Sequence, residues 1–432
     1  MKMTKYKLSE LVEVTRGASL SGQFYAEEGK LVRLTLGNFN MNGGGFKENT
    51  SKTDLYFTGT VRDEFILNEG DIITPLTEQS LGLLGTTARI PESGKYIQSQ
   101  DVALVRCKKG LLDPNFCYYL ISSSIVRQQL SAAAQQTKIR HTSPEKIKDC
   151  TVWVPDFDVQ KNIGRILTDI DNKIAINRRI NDNLEAMAKQ LYDYWFVQFD
   201  FPNEEGKPYK SSGGAMVWNE KLKREIPQGW SDCVLGDYIG RITNGLNPRK
   251  NFVLGSGNNY YVTIRSLVGT TIDWNNCDRC DDEALSKINS RSQLQIGDII
   301  FSAIGTIGRT YYILEEPTNW NISETSFTLR AKENVPNDFF YGMLRSNEIQ
   351  IKADKAAMGS TLRCLVMDSL CSLQYIKIPS YVMKLFAAKV SPLYRQIHRN
   401  NKEIAELTKQ RDELLPLLMN GQASVNYHLS AC

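Results

Sequence analysis

Apolar side chains recur at alternating steps of four and three residues in two long stretches of the chain, residues 158–199 and 381–419. Gly and Pro are almost absent from both stretches, so both are predicted to be helical. A 3.5-residue repeat sustained over about five heptads predicts a coiled-coil seam. We expect this seam to contain Ile163, Leu167, Ile170, Ile174, Asn177, Leu184 and Leu191 from the first helix, and Val390, Leu393, Ile397, Asn400, Leu407 and Leu414 from the second.

Two polar residues occupy equivalent positions of this seam, Asn177 and Asn400. An amide in an apolar seam fixes the register at some cost in stability, because a slipped register would leave it unpaired. Pro416 is expected to kink or end the second helix near its last turn. The alternative is that each stretch is an ordinary amphipathic helix packed on its own domain.

The segments that precede the helices are mixed in character. Residues 5–155 and 230–379 contain short β-rich runs, such as 32–36 and 260–264, separated by Gly, Asn and Asp turns and a few helical stretches. The predicted organisation is a first globular domain over 1–155, a central helix over 156–200, a linker over 201–229, a second globular domain over 230–379, a C-terminal helix over 380–425 and a tail over 426–432.

The second half of the chain repeats the first. Residues 70–73 and 297–300 both spell Gly-Asp-Ile-Ile, a shift of 297 − 70 = 227, and other matches keep the same order with shifts of 224 to 228. Such a nearly constant shift is typical of a duplication. The second domain connects the two helices, and domain termini usually lie close together, so the helices should run antiparallel. The predicted fold class is therefore α/β (α+β): two similar mixed domains separated by two long helices in an antiparallel coiled coil, with an internal pseudo-twofold repeat.

The composition favours a globular protein without membrane spans or a disulfide framework. The 432 residues are 41% hydrophobic and 23% charged, which is ordinary for a globular chain, and the net charge of +4 is compatible with nucleic acid as a partner. No apolar run approaches the roughly 20 residues of a membrane span. Nine cysteines, an odd number scattered along the chain, favour reduced thiols and a cytoplasmic location over a disulfide framework.

No catalytic or metal-binding motif stands out. The chain has no phosphate-binding loop, no Asn/Asp-Pro-Pro-aromatic motif of amino-methyltransferases and no recognisable nuclease cluster. Cys277 and Cys280 have the spacing of zinc ligands but lack a second pair or a nearby histidine. We therefore expect no catalytic residue and no metal, and a duplicated protein without an active site suggests binding.

Polar loops in both halves contain the residue types that contact DNA. Arg and Lys can donate to guanine or phosphate, and Asn can pair with adenine. The candidate DNA-binding residues are Arg16, Ser19, Thr137, Lys138 and Arg140 in the first half, and Arg241, Asn244, Asn247, Arg249, Lys250, Ser360, Thr361 and Arg363 in the second.

Several strings of the sequence resemble a known family, the specificity (S) subunits of type I restriction–modification enzymes. They lie along nearly the whole chain and are specific in combination: Val154-Pro155, the helical segment from Gln160 to Asn181, Leu184-Glu185-Ala186-Met187-Ala188, Tyr194-Trp195-Phe196-Val197, Gly70-Asp71-Ile72-Ile73, Asp113-Pro114-Asn115-Phe116 and the run from Leu414 to Gly421.

This resemblance implies a non-catalytic subunit with two target-recognition domains, each of which reads one half of a bipartite, asymmetric double-stranded DNA site. The helices would set the spacing and dock two modification (methyltransferase) subunits, with restriction (translocase and nuclease) subunits completing the complex. S-adenosylmethionine, ATP and Mg²⁺ would be used by those partners, and this chain would bind no cofactor. Recognition domains vary greatly within the family, so the DNA-binding residues above rest on side-chain chemistry alone.

Three questions stay open at this stage. The chain could be a coiled-coil adaptor without DNA readout, or a DNA methyltransferase or nuclease whose site carries no recognised motif. The aromatic run Tyr194-Trp195-Phe196 could face a modification subunit or pack against the second domain.

Overall fold

The β-rich segments fold into two units, each completed by part of both long helices. The computed structural model describes residues 1–40, 44–78, 82–133 and 140–424. The first unit consists of Met1–Ile176 and Glu403–Cys432, and the second of Asn177–Lys402. Within the described residues, no helix combines the length and apolar character needed to cross a bilayer.

The first unit begins with short strands and helices that precede the first long helix. Its strands are β1 (Thr4–Lys7), β2 (Val12–Arg16), β3 (Tyr25–Ala26), β4 (Leu31–Arg33), β5 (Tyr56–Phe57), β6 (Ile72–Pro75), β7 (Thr77–Glu78), β8 (Ala88–Arg89), β9 (Tyr96–Ile97), β10 (Val102–Cys107), β11 (Arg140–His141) and β12 (Thr151–Val154). Its short helices are α1 (Leu8–Leu11), α2 (Pro114–Ser122), α3 (Ser124–Ala133) and α4 (Pro144–Lys148).

The core of this unit lies against an antiparallel sheet with the order β2-β10-β6-β8. Its central strands are almost continuously apolar because both faces are covered, and all four residues of β6 are buried. A second four-stranded sheet has the order β3-β5-β4-β9, and β1 pairs with β12.

The first long helix is α5 (Phe157–Tyr192), which ends in a π-helical turn, Asp193–Val197. The strands of the second unit are β13 (Met216–Asn219), β14 (Arg224–Pro227), β15 (Ser231–Val234), β16 (Ile239–Asn244), β17 (Asn259–Val262), β18 (Leu267–Val268), β19 (Thr271–Ile272), β20 (Asp278–Cys280), β21 (Ile299–Ser302), β22 (Thr310–Tyr312), β23 (Trp320–Ile322), β24 (Ser326–Ala331) and β25 (Gln374–Lys377). Its helices are α6 (Asp282–Arg291), α7 (Asn337–Leu344), α8 (Asn347–Ala356) and α9 (Met367–Cys371), and α10 (Ser380–Met419) is the second long helix.

The topology of the second unit confirms the duplication predicted from the sequence. Its main sheet has the order β16-β24-β21-β22, which matches β2-β10-β6-β8 strand for strand, and β15 pairs with β25 as β1 pairs with β12. The register is also repeated. Val105 pairs with Val14 and Ile72, and Leu329 pairs with Ile242 and Ile299.

The structure departs from the predicted boundaries at three places. α5 changes to the π-helical turn after Tyr192, before the expected end at residue 200. α10 ends at Met419 rather than at residue 425. Pro416 lies in the last turn of α10, and the helix ends three residues later, as expected. Two of those three residues, Leu418 and Met419, are buried in the core of the first unit. The segment expected to be a linker, 201–229, contains the β13–β14 hairpin and buries Phe201 against Trp230.

The seam positions lie on the buried faces of the helices. None of the thirteen predicted seam residues is exposed, and Ile163 and Leu167 are fully buried. In the first unit, Asp171 pairs with Arg411 and Lys173 with Glu403, so the two helix segments run antiparallel there. In the second unit, Asn181 bonds to Asn400 and Tyr192 packs against Phe386, which again is an antiparallel arrangement.

The aromatic run at the end of α5 divides between core and surface. Trp195 and Phe196 are 4% and 1% exposed and pack against Phe386 within the second unit, which supports the core-packing alternative for these two residues. Tyr194 points outward and is 37% exposed.

Candidate nucleic-acid interface

The first candidate loop of the first unit leaves the end of β2. Arg16 is the last residue of that strand, and both Arg16 and Ser19 are exposed. Between them, Gly17 lies against the backbone at the end of β9: a Cβ at this position would be 2.3 Å from the carbonyl oxygens of both Gln98 and Ser99. Ala18 N donates to Gln98 O at 2.9 Å. This close approach, which only glycine allows, sets the direction in which the loop leaves the sheet.

The second unit repeats this arrangement after β16. Gly245 follows Asn244, the last residue of the strand, and a Cβ on Gly245 would lie 1.8 Å from Ile322 O at the end of β23. Since 245 − 17 = 228, the two glycines are equivalent under the internal repeat. In the sequence, each of these glycines directly follows one of two equivalent strands. This pattern could be recognised only after the strands were known.

A half-buried carboxylate, that of Glu324, holds the loop that follows Gly245. Asn247 Nδ2 donates to Glu324 Oε1 at 2.9 Å, and Tyr261 OH donates to Glu324 Oε2 at 2.8 Å. Burial and the bond to Glu324 raise the pKa of Tyr261 above its ordinary value, so its hydroxyl stays protonated as a donor. Asn247 Oδ1 accepts from Arg249 N at 2.9 Å and caps the short turn Pro248–Lys250. The structure thus places Asn247 as a loop support, with Arg249 exposed beside it.

The arginine of each second candidate loop is paired with a carboxylate. Arg140 pairs with Glu78 at 3.0 Å, and Glu78 is 2% exposed. Arg363 pairs with Asp354 at 2.5 Å. The two arginines are equivalent, with 363 − 140 = 223, and both charges are already compensated by a carboxylate. Thr137 and Lys138 lie outside the described residues. Ser360 and Thr361 are exposed.

The two candidate loops of the second unit border a common segment of backbone. Gly305 N donates to Arg363 O, and Ala303 N donates to Thr325 O, both at 2.8 Å. Thr325 adjoins Glu324, the residue that holds Asn247. The structure therefore brings together two candidate regions that are more than 100 residues apart in the sequence.

Sequence analysis missed one cation in this region. Arg291, the last residue of α6, donates from Nη2 to Asn244 Oδ1 at 2.7 Å, and Arg241 Nη2 donates to Arg291 O at 3.2 Å. No repeat marked Arg291, because the described residues 58–71, between β5 and β6, contain no counterpart of α6.

The seam of the second unit contains a chain of amides. Asn400 Nδ2 donates to Asn181 Oδ1, and Asn181 Nδ2 donates to Asn401 Oδ1, both at 2.8 Å. Asn181 is therefore the hydrogen-bond partner of the predicted seam residue Asn400. Asn177, the other predicted polar seam residue, is buried.

We expect Asn400→Leu to lower the free energy of unfolding of the second unit by about 1–2 kcal/mol, because Asn181 Oδ1 loses its donor inside the seam. Asn181→Leu combined with Asn400→Leu should recover most of that loss. Hydrogen exchange of peptides from residues 177–192 measures the change. Asn183→Leu, at an exposed position of the same helix, is the matched control and should have little effect. If Asn400→Leu is as stable as the native chain, the amides do not fix the register of the two helices.

Among the described residues, no group of three His, Cys, Asp or Glu side chains is placed to hold a metal ion. The candidate loops contain hydrogen-bond donors, amides and cations. Side chains of these types recognise an anionic ligand that carries bases.

The sequence is similar to that of known specificity subunits. Residues 1–186 match the family model of the type I restriction modification DNA specificity domain. The type I restriction enzyme MjaIX specificity subunit of Methanocaldococcus jannaschii is 26% identical over 325 residues, covering 74% of this chain and 71% of that protein. The type I restriction enzyme HindI specificity subunit of Haemophilus influenzae is 21% identical over 378 residues, covering 76% of this chain and 81% of that protein.

A solved structure has the same fold over the full length. The crystal structure of the type I restriction–modification system S subunit from M. genitalium matches with a TM-score of 0.61 and 17% identity, covering 97% of this chain and 96% of that chain. Together with the duplicated units, this match shows that the chain has the fold of a type I restriction–modification S subunit, and its sequence is similar to type I specificity subunits, most clearly over residues 1–186.

Proposed function

We propose that each unit reads one half of a bipartite, asymmetric DNA site, and that the long helices set the distance between the halves. The observation that carries this proposal is the duplication. Both units place a loop with exposed polar side chains directly after the equivalent strands β2 and β16, at equivalent glycines. Equivalent loops whose side chains differ are what two readers of different half-sites require.

The charges in these loops support DNA as the ligand. Arg16 and Arg249 are exposed at the loops, and no carboxylate oxygen of the described residues lies within 4.0 Å of either guanidinium. Cations that form no ion pair with a carboxylate attract phosphates and give binding that weakens with salt. Arg140 and Arg363 contribute differently, since their pairing with Glu78 and Asp354 fits a role in holding the second loop.

The outer face of α5 supports a protein partner. Within the second unit, Ile180, Met187 and Tyr194 are 39%, 53% and 37% exposed and recur every seven residues along one side of the helix. Val197 continues this side and is 50% exposed. An apolar stripe at heptad spacing suits the docking of another helix. We propose that the modification subunits dock on the long helices, and that restriction subunits join through them. S-adenosylmethionine, ATP and Mg²⁺ would act in those partners.

Exchange of the first domain tests this function. Replacing residues 1–155 with the corresponding domain of another specificity subunit, in cells that also express the modification subunits, should change only one half of the methylated sequence. Sequencing of methylated adenines across the genome gives the result, and exchange of residues 230–379 should change only the other half. Co-purification with the modification subunits shows that each hybrid is folded and assembled.

Three outcomes would contradict the proposal. If a single domain exchange changed both halves of the methylated sequence, the two units would not each read one half. Methylation that is the same with and without this chain, together with no footprint of the assembled complex on DNA, would favour a coiled-coil adaptor. Cleavage or methylation of DNA by the isolated chain would favour an enzyme.

A further inference from the structure

The second unit has a helix that the first unit lacks. α6 (Asp282–Arg291) lies between β20 and β21, whereas the residues between β5 and β6 of the first unit form only a short 3-10 turn, Asp63–Phe65. Ala284, Leu285 and Ile288 of α6 are buried in a cluster with Tyr261. The apolar residues of the loop after β16 pack on the same cluster: Leu246, Phe252 and Leu254. α6 is therefore fixed beside the first candidate DNA loop of its unit.

Two guanidinium groups form hydrogen bonds at the C-terminal end of α6, and neither has a carboxylate partner in the part of the chain that the structure describes. Arg291 donates from Nη2 and Nε to Asn244 Oδ1 at 2.7 and 3.2 Å, and Arg241 Nη2 donates to Arg291 O at 3.2 Å. Within the described residues, no carboxylate oxygen lies within 4.0 Å of either guanidinium.

Other arginines of the unit show that such pairing is available in this fold. The guanidinium groups of Arg265, Arg330 and Arg345 each lie within 4.0 Å of an Asp or Glu oxygen. Two guanidinium groups without a carboxylate partner leave positive charge that an anion can balance. The arrangement at Arg241 and Arg291 is thus that of an anion site that is completed by a ligand.

The hydrogen bonds indicate which anion. Two nitrogens of Arg291 already donate to Asn244 Oδ1, so this edge of the guanidinium is not available to pair with guanine. Asn244 Oδ1 accepts from Arg291, so Asn244 cannot form the donor–acceptor pair that recognises adenine. The remaining groups are donors: Nη1 of Arg291, the other nitrogens of Arg241 and Nδ2 of Asn244. A set that only donates fits atoms that only accept, and phosphate oxygens are the acceptors that also carry the negative charge needed to balance two guanidinium groups.

We propose that Arg241, Asn244 and Arg291, called here the α6 clamp, bind one backbone phosphate of DNA beside the half-site of the second unit. This inference rests on the proposed function. It makes the two units unequal: the second unit holds the backbone with an element that is absent from the first, independently of the bases that its loops contact.

The salt dependence of DNA binding tests the clamp. We expect Arg291→Gln, in the full chain assembled with its modification subunits, to weaken binding to the target duplex about five- to tenfold near 0.15 M salt. The slope of log affinity against log salt should fall in magnitude by about 1, and the loss should be the same for duplexes altered in either half-site. Arg241→Gln, which keeps the Arg291 side chain and its bonds to Asn244, should have the same effect.

A matched control variant separates the possible outcomes, together with measurements of affinity, salt slope, base preference and melting temperature. Arg399→Gln removes the same charge from an exposed position of α10 and should leave affinity and slope unchanged. Unchanged binding in both clamp variants would overturn the inference. So would an unchanged salt slope with a new base preference, since that result would assign the clamp to a base. An unchanged salt slope with a lower melting temperature would also overturn the inference, because Arg291 would then only stabilise the C-terminal end of α6 and would not bind DNA. Failure of the native complex to bind a bipartite target would instead contradict the proposed function.

Discussion

Replacing Arg411 with methionine is expected to lower the free energy of unfolding of the first unit by about 2–4 kcal/mol, although methionine is the more apolar residue at a seam position. Arg411 is 8% exposed. Its Nη1 donates to Asp171 Oδ1 at 2.9 Å, and its Nη2 donates to Asp412 Oδ1 at 2.7 Å. Methionine keeps the length of the side chain but leaves the Asp171 carboxylate in the helix interface without its cation.

A tyrosine extends this network to the globular part of the first unit. Tyr119 OH, on α2, donates to Asp171 Oδ2 at 2.7 Å. Burial, followed by the nearby Asp171 charge, raises the pKa of Tyr119 above its ordinary value, so the hydroxyl remains protonated and continues to donate. The Asp171 side chain is 28% exposed, and water that reaches it after the loss of Arg411 keeps the expected effect below the upper end of the range for a fully buried pair.

Hydrogen exchange of peptides from residues 157–176 measures the stability of this part of the first unit, without assuming that the whole chain unfolds in one step. Arg399→Met makes the same chemical change at an exposed position of α10 and should alter stability by no more than about 0.5 kcal/mol. Asp171→Leu combined with Arg411→Met should recover much of the loss, because no unpaired charge remains. Native-like protection in the single variant Arg411→Met would show that the ion pair adds nothing to stability.

The sequence predicted the positions of the seam but not its partners. A 3.5-residue period shows which face of a helix is buried, and Ile163, Leu167 and Val390 are buried as expected. The period does not give the relative register of two helices. The pairing of Asn400 with Asn181, and that of Arg411 with Asp171, therefore required the structure.

In the loops, too, the sequence did not reveal the interaction partners of the predicted residues. Side-chain chemistry identified Arg140 and Arg363 as candidate DNA contacts, and their partners Glu78 and Asp354 could not be inferred because pairing across a fold leaves no local pattern. Arg291 was missed for the opposite reason. The internal repeat directed attention to residues with a counterpart in the other half, and α6 has none.

Gly17→Ala is expected to abolish most of the discrimination at one half of the DNA site while the other half is recognised normally. A Cβ at Gly17 would meet two carbonyl oxygens of the backbone, Gln98 O and Ser99 O, at 2.3 Å, and backbone cannot move aside as a flexible side chain can. The loop that carries Ser19 must therefore shift by about 1 Å, and a displacement of that size in a recognition element can cost on the order of 100-fold. Gly245→Ala should have the corresponding effect on the other half, because its Cβ would lie 1.8 Å from Ile322 O.

The same loop offers a matched control. Gly22 lies only five residues beyond Gly17, and a Cβ there would make ordinary contacts of 3.9 Å with Tyr25. Gly22→Ala should therefore leave recognition unchanged. The measurement is binding by the complex assembled with modification subunits, on duplexes in which one half-site at a time is replaced. For Gly17→Ala, replacing one particular half should no longer weaken binding, while replacing the other should weaken it as in the native complex. Equal loss of discrimination at both halves would mean that Gly17 acts on the fold as a whole, and full discrimination at both would show that the first loop does not read DNA.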